Sequence, residues 1–300
     1  MSIYKAYDIR GKVPGELDEN LARRIGWAIG TFLGARQMAV GRDVRRHSPG
    51  ITDALCAGLA QAGVRVSDLG IVTTPLTNFA VGLKGLDGGV MVTASHNPSE
   101  YNGFKICRAG AVPVFDAEIR KIGELAEKAP PGKPLPADAR QALDIKGEIV
   151  SRVVARAKTG GRRLKVVADL SSGAATSLTP LVLKRLPHDF EILNGEPDGR
   201  FPSHPPDPLK EENLEQAREA IRSRKADLGA VFDGDADRVV FIDEKGNTVT
   251  GDLATLLIAL DLVSASGEKK PAVFYDVRCS RVVREELARA GADPRLCRVG

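Results

Sequence analysis

Three carboxylates within five positions, Asp233-Gly234-Asp235-Ala236-Asp237, followed by Arg238, stand directly after the apolar run Leu228 to Phe232. Alternate side chains of an extended loop point the same way, so Asp233, Asp235 and Asp237 can converge on one hard cation through oxygen ligands. As a mere solvated turn the segment would crowd three like charges at the end of an apolar strand, which is costly without a counter-ion. An EF-hand alignment places Glu244 at its twelfth position, but its sixth is Arg238 instead of Gly. Its flanks, Leu228 to Phe232 and Val239 to Ile242, are strand-like where helices are required. Three carboxylates with open positions suit Mg²⁺, which keeps places for phosphate oxygens or water.

A second polar loop, Thr93-Ala94-Ser95-His96-Asn97-Pro98, continues through Asn102-Gly103 to Lys105. Asn-Pro and Asn-Gly form turns, and Ser95 and Asn97 can make purely local backbone bonds there. No G-x-S-x-G elbow surrounds Ser95, and adjacency of Ser95 and His96 does not make a nucleophile–base dyad, so a hydrolase triad is poorly supported. The two loops together carry more. A serine hydroxyl near a carboxylate-held Mg²⁺ suits a phosphoryl carrier, the cation neutralising phosphate oxygens while cationic side chains stabilise the charge spread in transfer.

A repeated pattern must position these loops: a short apolar strand ending in Asp, a small-residue loop, an amphipathic helix, then a second strand. The strands are Met38 to Gly41 before Asp43, Leu164 to Ala168 before Asp169, and Ala272 to Tyr275 before Asp276. Helices of the first and third units stop at Gly63 and Gly291, as left-handed caps would. The first two units continue into Gly89 to Thr93 and Leu228 to Phe232, each running into one of the polar loops. The third stops at Gly300 before any such loop, so the sequence reads as C-terminally truncated. Linkers are Ala129 to Ala137 with the helix that follows to about Ser151, and Gly246 to Asp252. The expected organisation is domain 1 over 1–145 with the serine loop, domain 2 over 146–250 with the metal loop, and a partial domain 3 over 251–300. The expected fold class is α/β, in repeated three-layer α/β/α units with mainly parallel mixed sheets whose ligands gather at strand carboxyl ends.

Composition excludes several functions. The 300 residues carry 43 Lys+Arg against 39 Asp+Glu, a net charge of +4 spread without blocks, which is no nucleic-acid footprint. No apolar run approaches the roughly 20 residues that span a bilayer, and the start MSIYKAYDIRGK lacks a signal core, so no membrane is expected and the location reads as cytoplasmic. Cys56, Cys107, Cys279 and Cys297 form no CxxC pair and read as reduced thiols.

With AYDIRG (Ala6 to Gly11), GRDVRRHS (Gly41 to Ser48), TASHNPSEYNGFK (Thr93 to Lys105), EPDGRFPSHPPDPLKEENL (Glu196 to Leu214), DGDADR (Asp233 to Arg238) and DVRCS (Asp276 to Ser280), the sequence resembles the α-D-phosphohexomutase family, bacterial phosphomannomutase/phosphoglucomutase branch. The resemblance implies that Ser95 is the phosphorylated serine, exchanging its phosphoryl group with a hexose phosphate substrate through a bisphosphorylated sugar such as glucose 1,6-bisphosphate or its mannose equivalent. It implies Mg²⁺ held by Ser95 phosphate, Asp233, Asp235 and Asp237. Arg10, His96 and Lys105 fall around the phosphoserine, Lys105 as general acid/base with a pKa depressed by neighbouring cations. Tyr7 and Asn97 line the same site, and Arg238 and Arg278 lie near substrate, the latter where close relatives carry Lys. His47, His188 and His204 read as structural or surface residues. The family's sugar-selecting and phosphate-gripping loops are not in this sequence. The alternatives are a phosphoglucosamine mutase, a Mg²⁺-dependent phosphatase with an Asp nucleophile, and a non-catalytic truncated module; a monomer and a dimer are both compatible.

Overall fold

The computed structural model describes residues 3–299. Its first sheet has seven strands: β1 (Ile9–Lys12), β2 (Gln37–Arg42), β3 (Arg65–Ile71), β4 (Gly88–Val92), β5 (Tyr101–Arg108), β6 (Val112–Pro113) and β7 (Arg140–Ala142), ordered β1-β5-β4-β2-β3-β7 with β6 on β5. β4, β2, β3 and β7 run parallel, whereas β5 is antiparallel to both β4 and β1. The side-chain period of two decides the layers. Met38, Val40, Val90 and Val92 join one core with α1 (Glu19–Leu33), α2 (Ser48–Gln61) and α4 (Ala117–Glu127), while Ala39 and Met91 join the other with α3 (Thr74–Lys84) and α5 (Lys146–Arg156). Leu55 is fully buried in the first of these cores, and its truncation to Ala would cost ~2–5 kcal/mol.

The second sheet is ordered β12-β11-β10-β8-β9, from β8 (Lys165–Asp169), β9 (Asp189–Leu193), β10 (Leu228–Phe232), β11 (Val239–Asp243) and β12 (Thr248–Val249). β8 is parallel to β9 and β10, and β11 is antiparallel to its neighbours. One face packs on α7 (Glu215–Arg224) through Leu214, Ala217 and Ile221, and the other on Leu170, Ala175 and Leu183. Two parallel strands, β13 (Ala272–Asp276) and β14 (Asp293–Cys297), form a third sheet with α8 (Gly251–Ala265) and α9 (Arg281–Arg289). These are α/β/α layers on mixed, mostly parallel sheets.

Two details depart from the sequence expectation. Where a full amphipathic helix is expected after β8, the chain makes a 3₁₀ turn at Ala174–Ser177 and then the five-residue α6 (Thr179–Leu183). Pro180 opens that helix and Pro187 closes the segment, leaving no room for further turns. The stretch read as a linker also contains β7, which pairs with β3, and α5 runs to Arg156 and lends Ile149 to the core beneath the first sheet. Alternation in a three-residue strand is too short to stand out from a loop.

Candidate active site

Both polar loops leave the carboxyl ends of interior strands, β4 and β10, and they meet. Ser95 Oγ donates to Asp233 Oδ2 at 2.8 Å, and Arg238 Nη2 donates to Ser95 Oγ at 2.7 Å while pairing with Asp233 Oδ2 at 3.0 Å. Ser95, Asp233 and Asp235 are buried. The approach is tight enough to need Gly234, since a Cβ there would stand 2.4 Å from the Ser95 carbonyl oxygen. Ser95 itself has φ 53°, a left-handed backbone that costs a non-glycine residue about 1–3 kcal/mol and persists only where neighbours over-determine it.

The over-determining neighbour is Arg45, which is fully buried. Its Nε pairs with Asp43 Oδ2 at 3.0 Å; Nη2 donates to the carbonyls of Ser95 (2.8 Å) and Asn97 (2.7 Å), and Nη1 to those of Pro98 and Tyr101. All five guanidinium hydrogens are used. Asp43 in turn accepts from Ser48 Oγ at 2.6 Å and Thr93 Oγ1 at 2.8 Å, tying the start of the serine loop to the end of β2. From the loop that follows β9 the Phe201 ring covers the guanidinium at 5.2 Å, and a Cβ on Gly199 would stand 2.4 Å from the Val44 carbonyl oxygen.

The acidic loop closes on itself: Asp233 Oδ1 accepts from the backbone N–H groups of Asp237 and Arg238, both at 3.1 Å. One oxygen each of Asp233, Asp235 and Asp237 lie within 4.8 Å of one another. Burial and the charges of Asp235 and Asp237 push the Asp233 carboxyl up to about 7. Asp235 is held below the usual carboxylate range because, against its burial, the Lys105 ammonium and the Thr74 hydroxyl favour the charged form. Its Oδ2 accepts from Lys105 Nζ (2.6 Å) and Thr74 Oγ1 (2.6 Å), while its Oδ1 is buried with no hydrogen-bond partner among the described residues. Converging carboxylates with an orphaned buried oxygen are the donor set expected for Mg²⁺, so the residues fit that ion.

The expectation of a depressed Lys105 pKa is corrected. Burial does lower it, but Asp235 and Asp237 outweigh burial and raise it, because Lys105 faces these carboxylates and not a cation cluster. Arg10 Nη1 donates to Asn97 Oδ1 at 2.7 Å and Arg10 pairs with Asp8. His96 Nδ1 accepts from Arg238, and burial together with the Arg238 charge lowers its pKa. Ser95, His96, Asn97, Arg10, Lys105, Asp233, Asp235, Asp237 and Arg238 are therefore brought together. Tyr7 and Arg278 are not hydrogen-bonded to this group. Tyr7 donates to the Val299 carbonyl at 2.9 Å, and Arg278 folds back on Asp276 with most of its side chain in solvent.

Arg45 and Thr74 escape a sequence reading. Arg45 lies within GRDVRRHS, where nothing distinguishes it from a surface arginine, and Thr73-Thr74-Pro75 reads only as a helix start.

Residues 1–132 match the family described as phosphoglucomutase/phosphomannomutase, alpha/beta/alpha domain I, and residues 147–246 match its domain II. A phosphomannomutase of Methanocaldococcus jannaschii is 36% identical over 100% of this chain and 66% of its own length. A probable phosphoglucosamine mutase of Methanopyrus kandleri is 37% identical over 97% of this chain and 64% of its own. The chain thus spans about two thirds of the length of these relatives. A crystal structure of a phosphoglucomutase/phosphomannomutase family protein from Burkholderia thailandensis, 33% identical, superimposes with a TM-score of 0.92 over 99% of this chain and 66% of that one. Two domain matches in consecutive order, relatives more than a third identical along the chain and a shared fold agree: the chain belongs to the phosphoglucomutase/phosphomannomutase family.

Proposed function

We propose that this chain carries the phosphoryl-transfer site of a phosphohexomutase, interconverting hexose 1-phosphate and hexose 6-phosphate of mannose or glucose through a phosphoserine and a bisphosphorylated sugar. The observation that supports it most is the 2.8 Å bond between Ser95 Oγ and Asp233 Oδ2, with Arg238 on the same hydroxyl. At Ser95 Oγ a hydroxyl from the first unit meets one carboxylate of the acidic triad and a guanidinium, both from the second, as phosphoryl transfer requires.

Asp233, Asp235 and Asp237 would hold Mg²⁺ with the phosphate on Ser95. When bound, the ion neutralises phosphoryl oxygens. Arg238 steadies the Ser95 oxygen and adds charge beside it. As the Oγ–P bond forms and the sugar O–P bond breaks, the Ser95 hydroxyl proton passes to Asp233 Oδ2, which already accepts from it, and Lys105, held protonated by Asp235 and Asp237, would be the acid that supplies a proton to the departing sugar oxygen. Arg10 fixes the Asn97 amide, and His96, its Nδ1 engaged by Arg238, offers its other ring nitrogen to substrate. Tyr7 and Arg278 would reach substrate only from the rim. The 37% identity to a probable phosphoglucosamine mutase supports glucosamine phosphate as a second substrate reading.

Incubation with glucose 1,6-bisphosphate and Mg²⁺, followed by peptide mass spectrometry, tests the proposal. Phosphate on Ser95, absent when EDTA is added, is the expected result. An acyl phosphate on Asp233 with Ser95 unmodified would favour the phosphatase reading, and no modification of either would favour a non-catalytic module.

A further inference from the structure

Asp235, like Asp233, is fully buried, and its two oxygens have opposite fates. Oδ2 accepts from Thr74 Oγ1 and from Lys105 Nζ, both at 2.6 Å, whereas Oδ1, though buried, has no hydrogen-bond partner among the described residues. Thr74 is the first residue of α3, an eleven-residue helix of the first sheet's layer, and its backbone N–H also donates to the Asp235 carbonyl at 3.0 Å. One residue thus grips both the main chain and the side chain of a loop 161 positions further on. The two bonds fix the position of the Asp235 backbone and the rotation of its carboxylate at once, in a loop where one oxygen each of Asp233, Asp235 and Asp237 lie within 4.8 Å of one another. A carboxylate free to rotate would present either oxygen and pay rotamer entropy on coordination.

We infer that Thr74 is a positioning residue for the metal centre, a hydroxyl lent by the serine-loop unit that reserves Asp235 Oδ1 for a divalent cation. This rests on reading the acidic loop as a metal site and not on the mutase activity. It also makes that site bipartite: the carboxylates belong to one unit, and the hydroxyl that orients Asp235 belongs to the other. Cation affinity therefore reports whether α3 is docked on the loop.

Outer-sphere partners of this kind typically contribute about 10–100-fold to metal affinity. The test uses the full chain and Mn²⁺ alone, a carboxylate-compatible probe whose free form is counted by electron paramagnetic resonance. Thr74→Val and Thr74→Ala, which keep the backbone N–H, are expected to weaken Mn²⁺ binding at least about tenfold and to alter the bound-ion spectrum. Thr74→Ser, which restores the hydroxyl, is expected to recover affinity to within about twofold. Asp235→Asn is the control for the site. If Asp235→Asn weakens binding while both hydroxyl-free variants bind as the parent does, the positioning role is overturned and the metal site stands. If Asp235→Asn also binds as the parent, the metal reading falls and the inference with it. Equal losses in the Ser, Val and Ala variants would assign the effect to packing at the helix start and overturn the role of the hydroxyl.

Discussion

Arg45 holds Ser95 by its carbonyl, Nη2 to O at 2.8 Å, and thereby sets the direction in which the serine hydroxyl points. With the carbonyls of Ser95, Asn97, Pro98 and Tyr101 all drawn toward one buried guanidinium, the loop has its oxygens inside and its Ser95 side chain facing the acidic loop. The arginine is both the counter-ion of buried Asp43 and the mould of the loop.

Replacing it should therefore cost in two separable ways. Arg45→Met leaves Asp43 buried without its charge partner and is expected to destabilise by about 3–5 kcal/mol in urea unfolding. Arg45→Lys keeps the charge but has three hydrogens where five are used, so it should retain more stability than the Met variant yet slow phosphate uptake on Ser95 from glucose 1,6-bisphosphate. Half-saturating bisphosphate should move little, because the serine loop's geometry is what changes. A Lys variant that is phosphorylated at the parental rate would show that the loop holds its shape without the fork.

Ser95→Ala removes the hydroxyl proposed to accept the phosphoryl group while keeping the backbone contacts of the loop. Phosphate uptake at this position should vanish, with unfolding free energy changed by no more than about 1–3 kcal/mol, the cost of leaving Asp233 Oδ2 short of one donor while Arg238 stays on it. Modification appearing instead on Asp233 would transfer the nucleophile's role to the acidic loop.

The two loops were legible because their chemistry is written in consecutive residues: three alternating carboxylates after an apolar strand, and Ser95 among turn formers. The sheet was legible for a related reason, since the short continuous apolar runs of β2 and β4 mark strands covered on both faces. Arg45 and Thr74 were not legible. The partners of Arg45 are mostly backbone carbonyls, which have no sequence signature, and the partner of Thr74 lies in another unit. The sign of the Lys105 shift was misread for the same reason, because its neighbours are decided by how β5 faces the acidic loop. The shortness of α6 could have been read from Pro180 and Pro187, which bracket it.

On the proposed metal site, Mg²⁺ should stabilise the chain, because the folded loop would hold the ion with converged carboxylates that the unfolded segment does not offer. At a concentration one hundredfold above the dissociation constant the gain is about 2.7 kcal/mol, seen as a rise in the thermal midpoint and removed by EDTA. Asp235→Asn should lose most of that increment. Identical midpoints with and without the ion, in a chain whose folded state is intact by circular dichroism, would remove the acidic loop from consideration as a cation site.

The segment that seats against Arg45 has its own pH dependence. His204 Nε2 faces Asp169 Oδ2 at 3.1 Å and Nδ1 faces the Pro205 carbonyl at 2.9 Å, so both ring nitrogens meet acceptors and the imidazolium is favoured; Asn194 Nδ2, at 3.4 Å, is the other polar neighbour. Burial lowers the His204 pKa, but the bonds to Asp169 and Pro205 raise it overall. Asp169 is held low, against its burial, by His204, Asn194 and the Ser171 N–H. A raised histidine contributes stability that is complete below its ordinary value of 6.5 and is lost as pH climbs through the raised one. A lowered aspartate contributes above its ordinary 3.8 and fails as pH falls through the lowered one. The pair is thus strongest between these two ordinary values. His204→Gln should cost about 1–3 kcal/mol near pH 6 and distinctly less near pH 9, where the parent has lost the charge as well. Because Gly199 and Phe201 on the same segment lie against Arg45, the parent's serine loop should also show weaker amide protection, relative to the base-catalysed intrinsic rate, at the alkaline end, and the Gln variant should show that weaker protection at both. Parallel stability curves for parent and variant across this range would mean that the imidazole is neutral throughout and that Asp169 is held by its other donors alone.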